Sequence, residues 1–323
     1  MLKLLIVKTS SLGDVIHNLP VINDIHEHFP DAQIDWVVEE SFADIPRLHP
    51  KVNQVFTVAM RRWRKAIFKY KTWQEIKQVK QQIASQPYDF IIDTQGLVKS
   101  AVISRFATGP KHGYDKQSIR EPLASCFYTQ THHISYLQHA VVRNRTLTAL
   151  SLGYPPPSNA PDYGISANQS LPIDLAPSLK HPYIIALHGT SRDSKLWPEA
   201  HWITFGNAIA AKGLNLVLPW ASTAERSRAQ NIAAQIDNAI VLPKLNISAL
   251  ASIIANAKIA VGVDTGLSHL ATALNIPTIA IYTDTDPART GVLAGSKAHA
   301  INLGNKNIIP SPSEVLSVIN QFL

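Results

Sequence analysis

Among 323 residues there is one cysteine, Cys126, which excludes an intramolecular disulfide and any multi-cysteine metal site. Long hydrophobic runs are also missing. The first apolar segment, Leu4, Leu5, Ile6 and Val7, is too short for the core of a secretory signal. No stretch approaches the ~20 apolar residues of a membrane-spanning helix. There is no Gly-x-Gly-x-x-Gly fingerprint, P-loop, His-Glu-x-x-His or Gly-x-Ser-x-Gly, so the usual signals of dehydrogenases, P-loop NTPases, zinc peptidases and α/β-hydrolases are lacking. Repeats of solenoid length are absent too. Acidic residues are in deficit, 23 Asp+Glu against 30 Lys+Arg, a formal net charge of +7. The deficit is local: residues 1–160 carry 19 basic and 13 acidic side chains, and residues 161–323 carry 11 and 10. A positive N-terminal half suits nucleic acid, anionic lipid or a strongly anionic substrate.

What is present is enough hydrophobicity, 46% of residues, to build real cores. Strand-like runs alternate with helical patterns along the whole chain, which predicts an α/β fold with parallel sheets. The runs fall at residues 4–7, 34–38, 54–58 and 90–93, then at 183–187, 214–218, 259–263 and 278–282. Helical periodicity covers residues 73–83, 202–211 and 267–274. Residues 312–323 read as a last helix with Val315, Val318, Ile319 and Phe322 on one face. The Pro-rich stretch 155–161 reads as a linker. It divides the chain into domains 1–160 and 161–323, and paired α/β domains suit an enzyme with donor and acceptor on different domains.

Four turns after strands carry groups suited to chemistry. The first, Lys8-Thr9-Ser10-Ser11-Leu12-Gly13-Asp14, puts one carboxylate among small hydroxyls where a helix begins. Ligands of open α/β sheets bind at such turns, so Asp14 is suited to work on a hydroxyl. Its competing reading is a plain helix-start carboxylate. The second, Asp264-Thr265-Gly266-Leu267-Ser268-His269, offers a helix N-terminus for a phosphate, with His269 one turn on; an ordinary capped helix with a surface histidine is the alternative. The third holds Thr190, Ser191 and Lys195, hydroxyls and a point charge for phosphate, against the alternative of a solvated loop lysine. The fourth ends in Glu225, a carboxylate for a ribose diol or merely a complement to the helix dipole. Two phosphate-seeking turns in one domain suggest a nucleoside diphosphate.

Arg61-Arg62-Trp63-Arg64-Lys65 is the densest basic cluster, suited to carboxylates and phosphates, to nucleic acid, or to nothing beyond solvation. Asp284-Thr285-Asp286 looks like a metal pair, but turn shaping before Pro287 is the preferred reading. His132, His133 and His139 show no ligand spacing. No metal is expected.

Together the stretches 8–17, 36–40, 61–65, 93–100, 120–125, 192–202 and 263–269 resemble the lipopolysaccharide heptosyltransferases. The Thr-Ser-Ser-Leu-Gly-Asp-Val start and the Arg-Arg-Trp-Arg-Lys cluster are similar to the type I members. The resemblance implies a GT-B fold, two Rossmann-like domains facing across a cleft, with the last helix returning toward the N-terminal one. It implies inverting transfer of L-glycero-D-manno-heptose from ADP-L-glycero-β-D-manno-heptose to the first Kdo of Kdo2-lipid A, without a cofactor. By position Asp14 matches the catalytic base, and Lys195 the group that neutralises the leaving diphosphate. Thr190, Ser191, Lys195, Glu225, Leu245, Asp264, Thr265, Gly266 and His269 match donor-binding positions; Ser10, Ser11, Arg61, Arg62, Arg64, Lys65 and Arg120 match the acceptor side. Residues 283–287 depart from the family's usual Gly-Pro-Thr-Asp-Pro, and Leu245 stands where Met is common. The resemblance further implies a cytoplasmic monomer, peripheral on the anionic inner face of the inner membrane and without nucleic acid. The rivals are a heptosyltransferase acting on a later core sugar and a non-catalytic nucleic-acid-binding protein.

Overall fold

The computed structural model describes residues 1–167, 171, 174–176 and 178–323. The described chain forms two compact units, Met1–Ile165 and Ser166–Leu323. Each unit is built on one six-stranded, fully parallel sheet flanked by helices. In chain order the first sheet takes β1 (Lys3–Val7), β2 (Gln33–Glu39), β3 (Val52–Val58), β4 (Phe90–Asp93), β5 (Lys111–Tyr114) and β6 (Gln130–His132). Their order across the sheet is β3-β2-β1-β4-β5-β6. The second takes β7 (Tyr183–Leu187), β8 (Asn215–Leu218), β9 (Ala239–Val241), β10 (Ile259–Val263), β11 (Thr278–Tyr282) and β12 (Ala300–Gly304). Their order is β12-β11-β10-β7-β8-β9.

The central strands are apolar over most of their length because helices cover both faces of a parallel sheet. Leu4, Leu5, Ile6 and Val7 of β1 are fully buried, as are Ile184, Ile185 and Ala186 of β7. In each unit the strand order reverses beside the first strand, between β1 and β4 and between β7 and β10. That reversal opens a crevice at the carboxyl ends, where such sheets bind ligands.

The first unit runs past the Pro-rich stretch, which is docked rather than free. Buried Arg145 donates to the Asn159 carbonyl at 2.7 Å and to its Oδ1 at 2.7 Å, while forming a bidentate pair with Asp24. Tyr163 and Ile165 are buried just beyond. The last helix, Pro312–Ile319, is shorter than its pattern indicates and starts on a Ser311–Glu314 capping box. Val315 and Ile319 enter the core of the second unit with Trp197, Trp202 and Phe205, so this helix is built into its own unit. Among the described residues no helix is long and apolar enough to cross a membrane.

One buried imidazole in each unit makes stability sensitive to acid. Burial, with Lys51 and His26 nearby, pushes His49 down to about 4. Burial and the neighbouring Arg228 push His188 down to about 4. An unfolded histidine titrates near ~6.5. Between pH 6.5 and 4 the unfolded chain therefore takes up protons that the folded chain refuses, and stability falls as pH falls through that window. The loss is on the order of 3 kcal/mol per imidazole. Melts at pH 7 and pH 4.5 should show a lower Tm in acid, and His188→Gln should flatten the dependence. Equal slopes for variant and parent would remove His188 as a cause.

Candidate active site

In the first unit the loops after β1 and β4 are stitched together at the crevice. Gln95 Oε1 accepts the backbone N–H groups of Thr9 and Ser10, each at 3.0 Å. Lys8 Nζ donates to the Thr94 carbonyl at 2.7 Å and to Asn144 Oδ1 at 3.4 Å. Lys99 Nζ donates to Ser10 Oγ at 2.9 Å. At the end of β4, Asp93 accepts the N–H of Gln95 at 2.9 Å and the Tyr128 hydroxyl at 2.8 Å, and burial keeps its carboxyl above the usual range.

Asp14 sits half-buried in the short helix Leu12–Ile16. Its Oδ2 accepts the Ser11 N–H at 2.7 Å and the Ser11 hydroxyl at 3.1 Å. The helix-start role is therefore real, and it also aims the carboxylate. Beneath it lies Lys8, a cation that the sequence reading did not single out. Burial pushes its ammonium down to about 8, against the pull of Asp14 and Asp93. Desolvation likewise lowers Lys99, whose charged neighbours include Glu39, Arg61 and Asp14. For Lys8 the available signal was position, directly after the buried strand β1; Lys99, like Lys111, is a basic residue that the sequence offers as an extension of the basic surface without placing it.

The basic cluster occupies the helix Met60–Lys65, and Glu39 at the end of β2 holds it. The carboxylate of Glu39 accepts the N–H groups of Met60 at 3.1 Å and Arg61 at 3.2 Å, while its own N–H donates to the Thr9 carbonyl at 3.0 Å. The cluster is thus fastened to the loop that carries Asp14. Its members differ in role. Arg62 is occupied by two carboxylates, Glu40 at 3.1 Å and Glu75 at 2.7 Å, which raise its pKa further. Arg61, Arg64 and Lys65 are exposed. A cavity of about 540 Å³ opens beside them, with an apolar floor of Met60, Trp63, Ile67 and Ile76 and a cationic rim of Arg61, Arg64 and Lys99. Arg120 is exposed on the loop that Glu121 ties to the β4 turn, through the Val98 N–H at 2.7 Å.

In the second unit the loops after β7 and β10 are knotted in the same way. Lys195 Nζ pairs with Asp264 Oδ2 at 2.6 Å, and the Thr190 hydroxyl donates to the Asp264 carbonyl at 2.8 Å. The helix Gly266–Ala273 begins at Thr265, whose side chain makes no capping hydrogen bond. The first N–H groups of that helix are therefore not closed off by their own N-cap. Ser268 donates to the Val263 carbonyl at 2.8 Å and packs where a Cβ on Gly262 would stand. His269 is buried, only 7% exposed, and is not the surface histidine of the alternative reading.

The other residues that the resemblance assigns to the donor side lie on the loops after β7, β8 and β9. Glu225 Oε2 accepts the N–H groups of Ala221 at 2.6 Å and Ser222 at 3.2 Å, so the carboxylate caps its own helix. Gly189 lets the β7 loop pass close by, because a Cβ there would stand 2.9 Å from the Glu225 carboxyl carbon. Ser191 is exposed, and Leu245 is half-buried on the loop after β9. Asp284 accepts the Ser194 hydroxyl at 2.6 Å and Asp286 caps the turn at Ala288 at 2.9 Å, so both carboxylates shape loops. His133 pairs with Asp115, and His139 caps the helix Ala140–Leu152.

Residues 76–314 match the model of glycosyltransferase family 9 (heptosyltransferase). The chain belongs to this family. Family 9 membership makes it a glycosyltransferase and displaces the reading of the chain as a non-catalytic protein. It is 44% identical to lipopolysaccharide heptosyltransferase 1 of Pseudomonas aeruginosa, over 92% of this chain and 83% of that one. Among solved structures it is similar to E. coli heptosyltransferase WaaC with ADP, at 42% identity and a TM-score of 0.91, covering 100% of both chains. The same enzyme with ADP-2-deoxy-2-fluoro heptose matches with a TM-score of 0.88 at 42% identity, covering 99% of both chains. The two parallel-sheet units are thus the paired Rossmann-like domains of a GT-B heptosyltransferase.

Proposed function

We propose that this chain transfers L-glycero-D-manno-heptose from ADP-heptose to the first Kdo of Kdo2-lipid A, with inversion, in lipopolysaccharide inner-core synthesis. The observation that carries the reading is the Thr190–Lys195–Asp264 knot at the β7/β10 reversal, beside a helix start left open by its N-cap. It has the cation and the N–H groups that a diphosphate requires. A relative solved with an ADP-heptose analogue supports heptose as the transferred sugar.

In the reaction the acceptor oxygen attacks the anomeric carbon from the face opposite ADP. The bond from that carbon to the phosphate oxygen breaks, and its electron pair leaves with ADP. Asp14 takes the acceptor proton. Both hydrogen bonds to its carboxylate fall on Oδ2, so Oδ1 receives that proton. Lys195 and the helix N-terminus at 264–266 neutralise the growing charge on the leaving diphosphate. Ser191, Thr265, Gly266 and His269 line the phosphates, with Glu225 and Leu245 toward the nucleoside. Arg61, Arg64, Lys65 and Arg120, with Ser10 and Ser11, meet the Kdo carboxylates and lipid A phosphates. Arg62 contributes by holding the cluster to Glu40 and Glu75.

Mass spectrometry of Kdo2-lipid A incubated with ADP-heptose and enzyme tests this directly. One added heptose, with or without EDTA, is expected. Product that disappears with EDTA would return Asp284 and Asp286 as metal ligands. Transfer only to an already heptosylated acceptor would move the enzyme to a later core sugar.

A further inference from the structure

Next to the basic cluster lies a feature that the transfer reaction does not use. The turn joining the helix Met60–Lys65 to the helix Tyr70–Ile83, together with the first residues of the latter, presents large apolar side chains to solvent. Phe68 is 100% exposed, Tyr70 77% and Trp73 55%, with Ile67 beside them. The turn is held in shape. The Thr72 hydroxyl donates to the Ala66 carbonyl at 2.8 Å, and the Trp73 indole N–H folds back to the Ile67 carbonyl at 2.8 Å. The polar edge of Trp73 is thus satisfied internally and its ring is left outward. Residues 61–80 hold eight Lys or Arg and one acidic residue, Glu75. Glu75 is already taken by Arg62 and the Trp63 indole. Among the described residues, Arg61, Arg64, Lys65, Lys69 and Lys71 form no salt bridge.

We propose that residues 67–73 are an interfacial anchor that seats this enzyme on an anionic bilayer, with Phe68, Tyr70 and Trp73 at headgroup depth and the flanking lysines on lipid phosphates. Three observations choose a bilayer as occupant. The aromatic residues are those favoured at membrane–water interfaces. Several basic side chains surround them, the count at which anionic lipid attraction becomes effective. A turn ordered in advance loses little freedom on docking. The anchor rests on the proposed function only for why the enzyme meets a membrane.

The test measures vesicle binding with neither donor nor acceptor present. Phosphatidylglycerol vesicles should sediment the protein, and phosphatidylcholine vesicles should not. Phe68→Ser should weaken partitioning about tenfold, and Lys69→Glu with Lys71→Glu should do so more strongly at low salt than at high salt. Brominated phosphatidylglycerol should quench the tryptophan emission, and Trp73→Phe should remove most of that quenching. Phe68→Ser should transfer heptose to an acyl-free soluble acceptor at the parent rate. Unchanged partitioning of Phe68→Ser, equal binding to both lipids, or self-association that Phe68→Ser abolishes would each overturn the anchor. So would loss of soluble-acceptor transfer in Phe68→Ser, which would place the turn in the reaction itself. If the parent protein transfers no heptose yet binds vesicles, the functional reading fails and the anchor stands.

Discussion

Asp14→Ala is expected to lower kcat about 10³-fold, the typical contribution of a positioned general base. ADP affinity should stay essentially unchanged, because the groups proposed to hold the diphosphate lie in the second unit. Alanine also removes the acceptor for the Ser11 N–H, a helix-start loss of about 1 kcal/mol. Asp14→Asn separates the two effects. Its amide oxygen can still accept that N–H, but it is too weakly basic to take the acceptor proton. Asp14→Asn should therefore keep the parent Tm and be as inactive as Asp14→Ala. Near-parent kcat in either variant, with ADP binding intact by calorimetry, would remove Asp14 from the base role.

Lys195→Ala should lower kcat about 10²-fold or more and also weaken ADP binding. Lys195 and Asp264 are 2.6 Å apart, so the single change does more than remove a cation. It leaves the Asp264 carboxylate unpaired beside an incoming diphosphate, and like charges repel. Lys195→Ala combined with Asp264→Asn should therefore bind ADP better than Lys195→Ala alone. Contacting charges usually couple by about 0.5–3 kcal/mol. Additive effects of the two changes on ADP affinity, measured by calorimetry, would mean that the pair does not face the diphosphate.

The central strands were legible because a strand covered on both faces is apolar over most of its length: β1, β4, β7, β10 and β11 carry short apolar runs, with Lys3, Asp93 and Thr278 only at their ends. Four strands at or next to the sheet margins, β5, β6, β9 and β12, were not, although the edge strand β3 was. β5 reads Lys-His-Gly-Tyr, β6 Gln-Thr-His, and β9 and β12 lie at or near the other margins, where burial is partial and the apolar signal weak. The helix Ala140–Leu152 escaped for a different reason. Its inward face includes Asn144, Arg145, Thr148 and Ser151, which pair with Asp24, Asn159 and backbone carbonyls instead of forming an apolar stripe.

The same division runs through the site. Asp14, Lys195 and Asp264 stood out because each follows a recognisable strand at the start of a helix or turn, a purely local signal. By itself the sequence determined the class of fold, the paired domains, the lopsided charge and the turns that could hold chemistry, since period, composition and turn residues act over short range. Tertiary structure decided which turns meet. Gln95 and Lys8 link segments 86 residues apart only because β1 lies between β2 and β4 in the sheet. Glu39 fastens the basic helix to the Asp14 loop, and Arg62 is drawn away to Glu40 and Glu75. Such pairings depend on strand order and burial, which follow from how the whole chain packs and leave no periodic trace in the residues that make them.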